Sequence, residues 1–164
     1  MKKFLVLMLL TSCSHSTGIR DASAPFSSIA AFDATRFAGQ WFEVAHFPRQ
    51  EDCRSFQFAY ETVSPGALDA ERRCGATVET GSAKIVGPGR LEQSFEAGVR
   101  EEVWVLWVDA DYRTAVMATR DGQAAWILDR SLQISEDRLN AAKEVLRFNG
   151  YDPIQLIRFA GEAA

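Results

Sequence analysis

The sequence predicts an all-β fold, an eight-stranded up-and-down antiparallel barrel with one α-helix packed on its outside near the C-terminus. Between residues 41 and 128, eight short segments rich in apolar, β-branched and aromatic residues follow one another, separated by turn residues. After them, a single stretch between Ser135 and Gly150 has the period of an amphipathic helix. Eight strands can close into a barrel just wide enough for one small ligand.

Short turns separate most of the predicted strands. Ser64-Pro65-Gly66, Gly87-Pro88-Gly89 and Arg120-Asp121-Gly122 contain the residues that such turns prefer. In chain order, the strands are predicted at residues 41–47, 56–63, 67–74, 77–86, 90–95, 102–108, 112–119 and 124–128. Because no helical pattern lies between them, they are expected to form an antiparallel meander.

The helix is predicted to begin after Ser135, a suitable N-cap, and to end at Gly150. Glu136 and Asp137 lie in its first turn, where negative charge is favourable. An apolar stripe along one face consists of Leu139, Ala142, Val145 and Leu146. The outside of the barrel is the surface that this stripe is expected to cover, and residues 154–159 are predicted as one further short strand.

The first twelve residues predict a signal peptide of the lipoprotein type. Lys2 and Lys3 precede a short apolar run, and Leu10-Thr11-Ser12-Cys13 resembles the lipobox of bacterial lipoproteins. The resemblance implies a diacylglycerol on the Cys13 thiol, cleavage before Cys13 and acylation of the new amine. The alternative is an ordinary secretory signal followed by a chance cysteine. The lipoprotein interpretation is favoured because the apolar run is too short to span a bilayer and stops where the lipobox begins.

Two further segments follow the signal peptide of residues 1–12. Residues 13–31 are rich in Ser, Ala and Thr without an amphipathic period, which predicts a lipidated tether. Residues 32–160 predict a single barrel domain. Because Ser14 rather than an aspartate follows Cys13, the resemblance to enterobacterial lipoproteins implies an anchor in the outer membrane, with the domain facing the periplasm.

The three cysteines of the chain are consistent with an exported protein. Lipidation of Cys13 leaves Cys53 and Cys74, which an oxidising compartment allows to form a disulfide. A bridge closing a loop of this length contributes about 3 kcal/mol of stability. Two free buried cysteines are the alternative, and the bridge is favoured.

The composition excludes several classes of protein. The chain has 164 residues, of which 47% are hydrophobic and 24% charged, as in a single globular domain rather than a disordered chain. Its net charge of −4 argues against a nucleic-acid partner, which requires a basic surface. No cofactor is predicted.

Three separated motifs together resemble those of the lipocalins. Gly39-Gln40-Trp41 matches the Gly-x-Trp motif that opens the first strand of that family, and Asp109-Ala110-Asp111-Tyr112 resembles its second motif, which is centred on an Asp-Tyr pair between the sixth and seventh strands. Arg130 matches the lone arginine of the third motif, and a helix follows it. The order and spacing make the set specific, although each motif alone is weak.

The chain is similar in particular to the bacterial lipocalins of the outer membrane, over about residues 31–159. Trp126-Ile127-Leu128-Asp129-Arg130 and Gly150-Tyr151-Asp152 resemble stretches of those proteins, and the spacing of Cys53 and Cys74 also fits. The resemblance is thinnest between residues 75 and 100, where the fourth and fifth strands lie. It implies that Arg130 covers Trp41 and closes the bottom of the barrel through a cation–π contact.

The resemblance also sets which side chains point into the barrel, since alternate residues of a strand face opposite sides. With Trp41 inward, the residues predicted to line a ligand site are Phe56, Phe58, Tyr60, Arg72, Val103, Val105, Trp107, Val116, Trp126 and Leu128. This mostly apolar lining could hold an acyl chain with micromolar affinity or better. The alternative is that these aromatic residues simply fill the barrel.

Charged side chains on the inward phase are few. Arg72 is a candidate for the head group of a ligand, although a solvated position at the rim is favoured; Glu43 also falls on the inward phase. His46 falls on the outward phase of the first strand, where a surface position is expected. No spacing of histidines and cysteines predicts a metal site, and no catalytic residues are predicted.

The leading functional hypothesis is a lipid-anchored carrier that binds fatty acids or lysophospholipids for maintenance of the cell envelope, as a monomer or weak dimer. A protein-interaction module with a largely filled barrel is the second hypothesis. The third, an esterase or isomerase acting on a bound lipid, is disfavoured because both domain cysteines are expected to be paired. A fold by itself does not decide among them.

Overall fold

The computed structural model describes residues 18–50, 52–95 and 99–159, and within them a closed antiparallel β-barrel forms the body of the molecule. Its strands are β1 (Gly39–His46), β2 (Gln57–Ser64), β3 (Ala67–Cys74), β4 (Thr77–Gly87), β5 (Arg90–Phe95), β6 (Arg100–Val108), β7 (Thr114–Thr119) and β8 (Ala125–Asp129). Each strand pairs with its neighbours in sequence, and β1 pairs with both β8 and β2, which closes the barrel. The predicted fold class is confirmed.

Three helical segments and a short strand accompany the barrel in the described residues. The helix α1 (Ala34–Phe37) precedes β1, and α2 (Glu136–Phe148) follows β8. A 3₁₀ turn (Pro153–Gln155) then leads to β9 (Ile157–Arg158), which pairs with the end of β1. The strand predicted at residues 154–159 is therefore reduced to two residues, because Pro153 starts a turn instead. None of the helices in the described part of the chain is long and apolar enough to cross a bilayer.

The up-and-down order gives the barrel two different ends. One end, here called the base, holds the start of β1 and the turns β2–β3, β4–β5 and β6–β7. The other end, here called the mouth, holds the β1–β2 loop and the turns β3–β4 and β7–β8. Glycines with positive φ, such as Gly66 at the base and Gly75 at the mouth, allow the tight hairpins.

The base is closed as the family resemblance implied. Trp41 is fully buried, and the guanidinium carbon of Arg130 lies 3.7 Å from the centre of its ring. The same guanidinium donates hydrogen bonds to the carbonyl oxygens of Gln40 (2.7 Å), Ala38 (2.8 Å) and Arg36 (2.9 Å). A Cβ at Gly39, whose φ is +98°, would lie only 3.1 Å from Arg130 Nη1.

The second motif also organises the base, through its first residue, Asp109, as well as through Tyr112. Tyr112 adopts a φ of +57°, and its hydroxyl accepts a hydrogen bond from the backbone N–H of Asp33 (2.9 Å). Asp109, rather than the mostly exposed Asp111, accepts the backbone N–H groups of Arg113 (2.5 Å) and Thr114 (2.8 Å). These bonds hold the pKa of Asp109 below its usual value, although its desolvation acts in the opposite direction.

The helix α2 covers the outside of the barrel, as its stripe predicts. Leu139, Ala142 and Leu146 are fully buried in a cluster with outward-facing side chains of β1, β7 and β8. Ser135 occupies the N-cap position, but its side chain makes no capping hydrogen bond. Arg138 joins the helix to the barrel by donating to the buried carboxylate of Asp129 (3.2 Å).

A bulge in β6 reverses the predicted orientation of two residues. The register between β6 and β7 shifts between Val105 and Trp107, so that Val105 points into the barrel whereas Leu106 and Trp107 lie on its outside. Val116, the partner of Trp107, also lies in the outer cluster under α2. The prediction that Trp107 and Val116 line the interior is therefore wrong, because strict alternation fails across a bulge.

The described part of the predicted tether is packed on the barrel. Phe26 stacks on Trp104 on the outer face of β6, with ring centres 4.9 Å apart, and the N–H of Ile29 donates to the carbonyl oxygen of Val105 (2.9 Å). Residues 18–31 are here called the strap. Their composition concealed this role because Phe26 and Ile29 are isolated apolar residues without a period. The signal peptide, Cys13 and the start of the tether lie outside the described residues.

Cys53 and Cys74 form a disulfide across 21 positions of sequence. The bridge joins the β1–β2 loop to the end of β3, both at the mouth. The favoured prediction for these two cysteines is confirmed.

Candidate ligand-binding site

The lower half of the barrel interior is filled by side chains. Trp41, Leu91, Val105 and Met117 have no solvent exposure, and Tyr60 is 3% exposed. Phe37 of α1 enters from the base and packs against both Trp41 and Tyr60 at 5.1 Å between ring centres. The part of the interior near the base therefore has no room for a ligand.

A cavity of about 200 Å³ remains in the upper half of the barrel, below the mouth. Its lining combines aromatic and aliphatic side chains with polar and charged ones, namely Arg49, Phe56, Phe58, Arg72, Gln93, Phe95, Glu101, Val103, Thr119, Ala124 and Trp126. Pockets for drug-sized molecules usually measure about 300–1,000 Å³. This cavity is therefore suited to a small or slender ligand.

Aromatic rings form the apolar part of the lining. Phe58 stands beside Trp126 with nearly parallel rings whose centres are 6.5 Å apart, and Phe56 lies 5.9 Å from Phe58. The indole N–H of Trp126 is buried and has no hydrogen-bond partner among the described residues. A buried donor without a partner costs free energy that a ligand or water can recover.

Two arginines enclose one of these rings. The guanidinium carbons of Arg49 and Arg72 lie 4.6 Å and 4.7 Å from the centre of Phe56, and Arg72 also lies 4.9 Å from that of Phe95. Stacking of this kind keeps the planar guanidinium groups at the wall of the cavity. The sequence did not point to Arg49, since it follows Pro48 in a loop without a pattern.

Arg72 is more enclosed than its predicted position at a solvated rim. Its side chain is 22% exposed, and its Nη2 lies 2.6 Å from the carboxylate of Glu79 on the adjacent strand β4. Nε of Arg72 donates to the same oxygen at 2.8 Å. Arg72 therefore lines the mouth cavity as the partner of Glu79, which the pairing of β3 with β4 places directly opposite it.

Glu43 anchors the other arginine. Its carboxylate is buried and accepts bonds from Arg49 Nη1 (2.5 Å), Arg49 Nη2 (2.9 Å) and the N–H of Phe56 (2.8 Å). Burial alone would raise the pKa of Glu43, but its contacts with His46, Arg49 and Phe56 outweigh burial and lower the pKa. Glu43 therefore stays ionised and holds Arg49 at the mouth.

His46 lies next to this ion pair rather than on the surface. Its Nδ1 is 3.4 Å from Glu43, and its ring meets Phe159 edge to face at 5.0 Å. The surface prediction for His46 is wrong because β9 pairs with the end of β1 and covers it. Among the described residues, no group of three or more His, Cys, Asp or Glu side chains is arranged to hold a metal ion.

A second polar contact closes the floor of the cavity. The hydroxyl of Tyr60 donates to Gln93 Oε1 at 3.4 Å, and both side chains are buried. Burial raises the pKa of Tyr60. The phenol is therefore neutral and serves as a hydrogen-bonding group beneath the aromatic rings.

The ten predicted lining residues fall into three groups. Five line the cavity, namely Phe56, Phe58, Arg72, Val103 and Trp126. Tyr60, Val105 and Leu128 point inward but belong to the filled lower half. Trp107 and Val116 lie outside. Prediction missed the polar members Arg49, Gln93, Glu101 and Thr119, whose positions in the cavity depend on how the strands are staggered.

A larger groove of about 920 Å³ lies on the outer wall of the barrel, not in its interior. Glu61, Asp69 and Glu71 line it from the outward faces of β2 and β3. It is open and acidic, and its lining includes few large apolar side chains. The mouth cavity is therefore the better candidate site for an apolar ligand.

Comparison with known proteins agrees with this architecture. A family model described as a lipocalin-like domain matches residues 32–161. The outer membrane lipoprotein Blc of Escherichia coli K12 is 27% identical over 161 residues, which cover 91% of this chain and 88% of Blc. Temperature-induced lipocalin-1 of Arabidopsis thaliana is 24% identical over 145 residues, or 76% of each chain.

Solved structures show the same fold at lower identity. Insecticyanin from the tobacco hornworm Manduca sexta superposes with a TM-score of 0.61 and 20% identity, over 85% of this chain and 86% of insecticyanin. Apocrustacyanin A1 from lobster gives a TM-score of 0.64 with 13% identity, over 79% of each chain.

Proposed function

This chain belongs to the lipocalin family, and we propose that it is a lipid-anchored carrier whose mouth cavity binds the acyl chain of a fatty acid or lysophospholipid. The lipocalin fold supports the binding of small hydrophobic ligands, and members of the family are generally binding or transport proteins rather than enzymes. The observation that carries the proposal is the cavity of about 200 Å³, which retains an aromatic wall while the lower barrel is filled.

The lining favours a slender ligand with an anionic or polar head. Phe58, Val103 and Trp126 supply apolar surface, and burial of each methylene contributes about 0.8 kcal/mol. Arg72 supplies a guanidinium, whose planar donors suit a carboxylate or phosphate. One acyl chain fits this arrangement better than a bulky ring system, because the cavity is narrow and closed below by Tyr60.

The sequence supports a location at a membrane. The signal peptide at residues 1–12 and Cys13 in its lipobox favour a lipid anchor, and Ser14 favours the outer membrane with the domain facing the periplasm. The likeness to Blc, an outer membrane lipoprotein by name, supports the same location. We propose maintenance of the cell envelope as the setting and a monomer or weak dimer as the active form.

Titration of the purified Cys13→Ser protein, stripped of bound lipid, with a fluorescent fatty acid tests the carrier. We expect saturable binding with a micromolar dissociation constant and energy transfer from tryptophan to the ligand. Trp126→Phe is expected to reduce this transfer more than Trp107→Phe, a change on the outside of the barrel, because Trp126 lines the cavity. Equal effects of the two changes would place the ligand elsewhere.

The head-group contact has a matched control in the neighbouring residue. Arg72 points inward and Arg73, whose side chain is 44% exposed, points outward. Arg72→Gln is expected to weaken fatty-acid binding about tenfold, as for the loss of one charge-assisted hydrogen bond. Arg73→Gln is expected to change it little, and the same loss in both variants would contradict a specific role.

A second candidate function is an interaction module that uses the barrel as a scaffold. The filled lower half and the small size of the cavity favour it. The same titration decides between the two, because a scaffold shows no saturable binding of fatty acids, lysophospholipids or other apolar probes after removal of bound lipid.

A further inference from the structure

The strap runs along the barrel from its base to its mouth. Just after its C-terminal end, Asp33 lies at the base and donates its N–H to the hydroxyl of Tyr112. Phe26 is held halfway, on Trp104 of the outer face of β6, and Ile29 lies nearer the base, beside Gly89, with its N–H donating to the carbonyl oxygen of Val105. At the other end, Gly18 lies beside Gln123 in the β7–β8 turn, which belongs to the mouth.

Arg20 fixes this last part of the strap. Its backbone forms an isolated antiparallel β-bridge with Tyr151. Its Nε donates to the carbonyl oxygen of Asn149 (2.7 Å), and its guanidinium carbon lies 4.4 Å from the centre of the Phe26 ring. The N–H of Asp21 also donates to the carbonyl oxygen of Gly150 (2.8 Å). The position at which the chain leaves the barrel is therefore determined by contacts with the C-terminal end of α2.

Exposed apolar side chains are concentrated at the same end. In the described residues, five of the seven large exposed hydrophobic side chains lie at the mouth and two at the base. Those at the mouth are Ile154 (90% exposed), Val99 (73%), Phe148 (64%), Ile157 (44%) and Val78 (38%), and those at the base are Val63 and Val86. Such side chains are suited to contact with a lipid surface.

We propose that the mouth of the barrel faces the bilayer, held there by the strap and by the apolar side chains around its rim. The inference rests on the proposed acylation of Cys13. Gly18 is five positions after Cys13, so the chain between them spans at most about 18 Å. The nine residues of β6, tilted by about 40°, make the barrel wall roughly 20 Å tall. If the base faced the bilayer, the chain from Cys13 to Gly18 would be too short to reach from the membrane to the mouth.

This orientation gives the carrier a direct route for its ligand. The mouth cavity opens toward the surface in which single-chain lipids are dissolved, so an acyl chain can enter without crossing water. The anchor also raises the effective concentration of the cavity at that surface. The inferred partner is therefore a phospholipid bilayer, and a protein partner or a second copy at the rim is an outcome of the test.

A pair of matched labelling sites tests the orientation in the full acylated protein. Val99 at the mouth and Val63 at the base are both exposed valines, 73% and 61% respectively. Val99→Cys and Val63→Cys are each labelled with a donor dye and reconstituted into phosphatidylethanolamine–phosphatidylglycerol vesicles that contain an acceptor lipid. We expect the donor at position 99 to be quenched about twofold more strongly than that at position 63, given the height of the barrel.

Equal quenching at the two positions, or stronger quenching at position 63, would overturn the proposed orientation. Intact mass and the loss of vesicle association in Cys13→Ser report acylation separately, and an unmodified Cys13 would overturn the anchor and the orientation together. Fatty-acid binding by the Cys13→Ser protein tests the carrier independently of both. If quenching at position 99 is lost when the protein is diluted, it requires a second protein copy, and the rim is then a dimer contact instead.

The role of the strap has its own variant. Arg20→Ala combined with Phe26→Ala removes contacts on the outside of the barrel and leaves the interior unchanged. With acylation and circular dichroism unchanged, this variant is expected to reduce the difference in quenching between positions 99 and 63. An undiminished difference would show that the strap does not orient the barrel.

Discussion

At the scale of single residues, Arg130 contributes to the fold through its donor geometry as well as its charge. It covers Trp41 and donates to a ring of backbone carbonyl oxygens from residues 36–40, while its Nε donates to the carbonyl oxygen of Tyr112 (3.2 Å). Removal of the guanidinium takes these bonds away, although the carbonyl oxygen of Phe37 still accepts the indole N–H of Trp41 (2.8 Å). The desolvation of Arg130 lowers its pKa, but an arginine remains charged in proteins.

Arg130→Ala is therefore expected to lower the free energy of unfolding by about 3 kcal/mol, through unsatisfied carbonyls and the lost cation–π contact. Arg130→Lys is expected to recover only a minor part of this lost stability, because an ammonium group cannot form the same fork of hydrogen bonds. Urea denaturation measures both. Arg120→Lys, at a side chain that is 69% exposed, is the control, and a loss in Arg130→Lys no larger than in this control would contradict the assignment.

Glu43 predicts how stability depends on pH. Its folded pKa is lower than its unfolded pKa of about 4.3, so its contribution to stability is present above that value and is lost as the pH falls through the folded pKa. Glu43→Gln leaves Arg49 with no carboxylate at this position and is expected to destabilise the protein by about 3 kcal/mol at pH 7.

Thermal unfolding between pH 2 and 7 is the appropriate measurement for Glu43. Because protonated glutamic acid and glutamine are both neutral, the stabilities of the wild type and Glu43→Gln are expected to converge in acid. Glu71→Gln, at a partly exposed ion pair with Arg73, is expected to change stability by less than about 1 kcal/mol at any pH. A constant difference between wild type and Glu43→Gln down to pH 2 would exclude the proposed linkage.

At the scale of elements, helix α2 offers a direct comparison of a buried and an exposed position. Leu146 is fully buried against the barrel, whereas Phe148, two residues later, is 64% exposed. Leu146→Ala is expected to lower the free energy of unfolding by about 2–5 kcal/mol, and Phe148→Ala by less than about 0.5 kcal/mol. Chemical denaturation measures both, and similar losses would indicate that the helix does not depend on its stripe.

The elements themselves were largely predictable because their signals are local. The positions of Gly66, Gly89 and Gly122 mark the hairpins, and β3 and β5 have the predicted bounds. The bulge in β6 was not predictable, since Val105, Leu106 and Trp107 are all apolar and suit either face. The pairing of Glu79 with Arg72 depends on the register between strands, which no local pattern specifies.

At the scale of the whole molecule, the barrel is divided into a packed base and a hollow mouth. The family motifs that made the fold predictable, Gly39, Trp41 and Arg130, all lie at the base, where they serve packing. The mouth is built from side chains that are distant in sequence, such as Arg49, Gln93 and Thr119, and their convergence depends on closure of the barrel. Prediction therefore succeeded for the fold and only in part for the candidate site.

This division leads to a prediction about ligand length. Each methylene adds about 0.8 kcal/mol only while it is buried, so affinity for saturated fatty acids is expected to rise with chain length and then reach a plateau when the cavity of about 200 Å³ is full. Phe58 forms part of the cavity wall above Tyr60 on the same strand and beside Trp41, its partner on β1. Phe58→Ala is therefore expected to enlarge the cavity downward and to move the plateau to longer chains, although it costs about 3–5 kcal/mol of stability.

Competition between a fluorescent probe and fatty acids of increasing length measures the plateau in both proteins. Val116→Ala, a cavity-forming change in the outer cluster under α2, is the control for lost stability without a change in the site. We expect it to leave the dependence on chain length as in the wild type. If Phe58→Ala also leaves the plateau unchanged, the acyl chain does not bind beside Phe58, and the filled-barrel scaffold becomes the better account of the molecule.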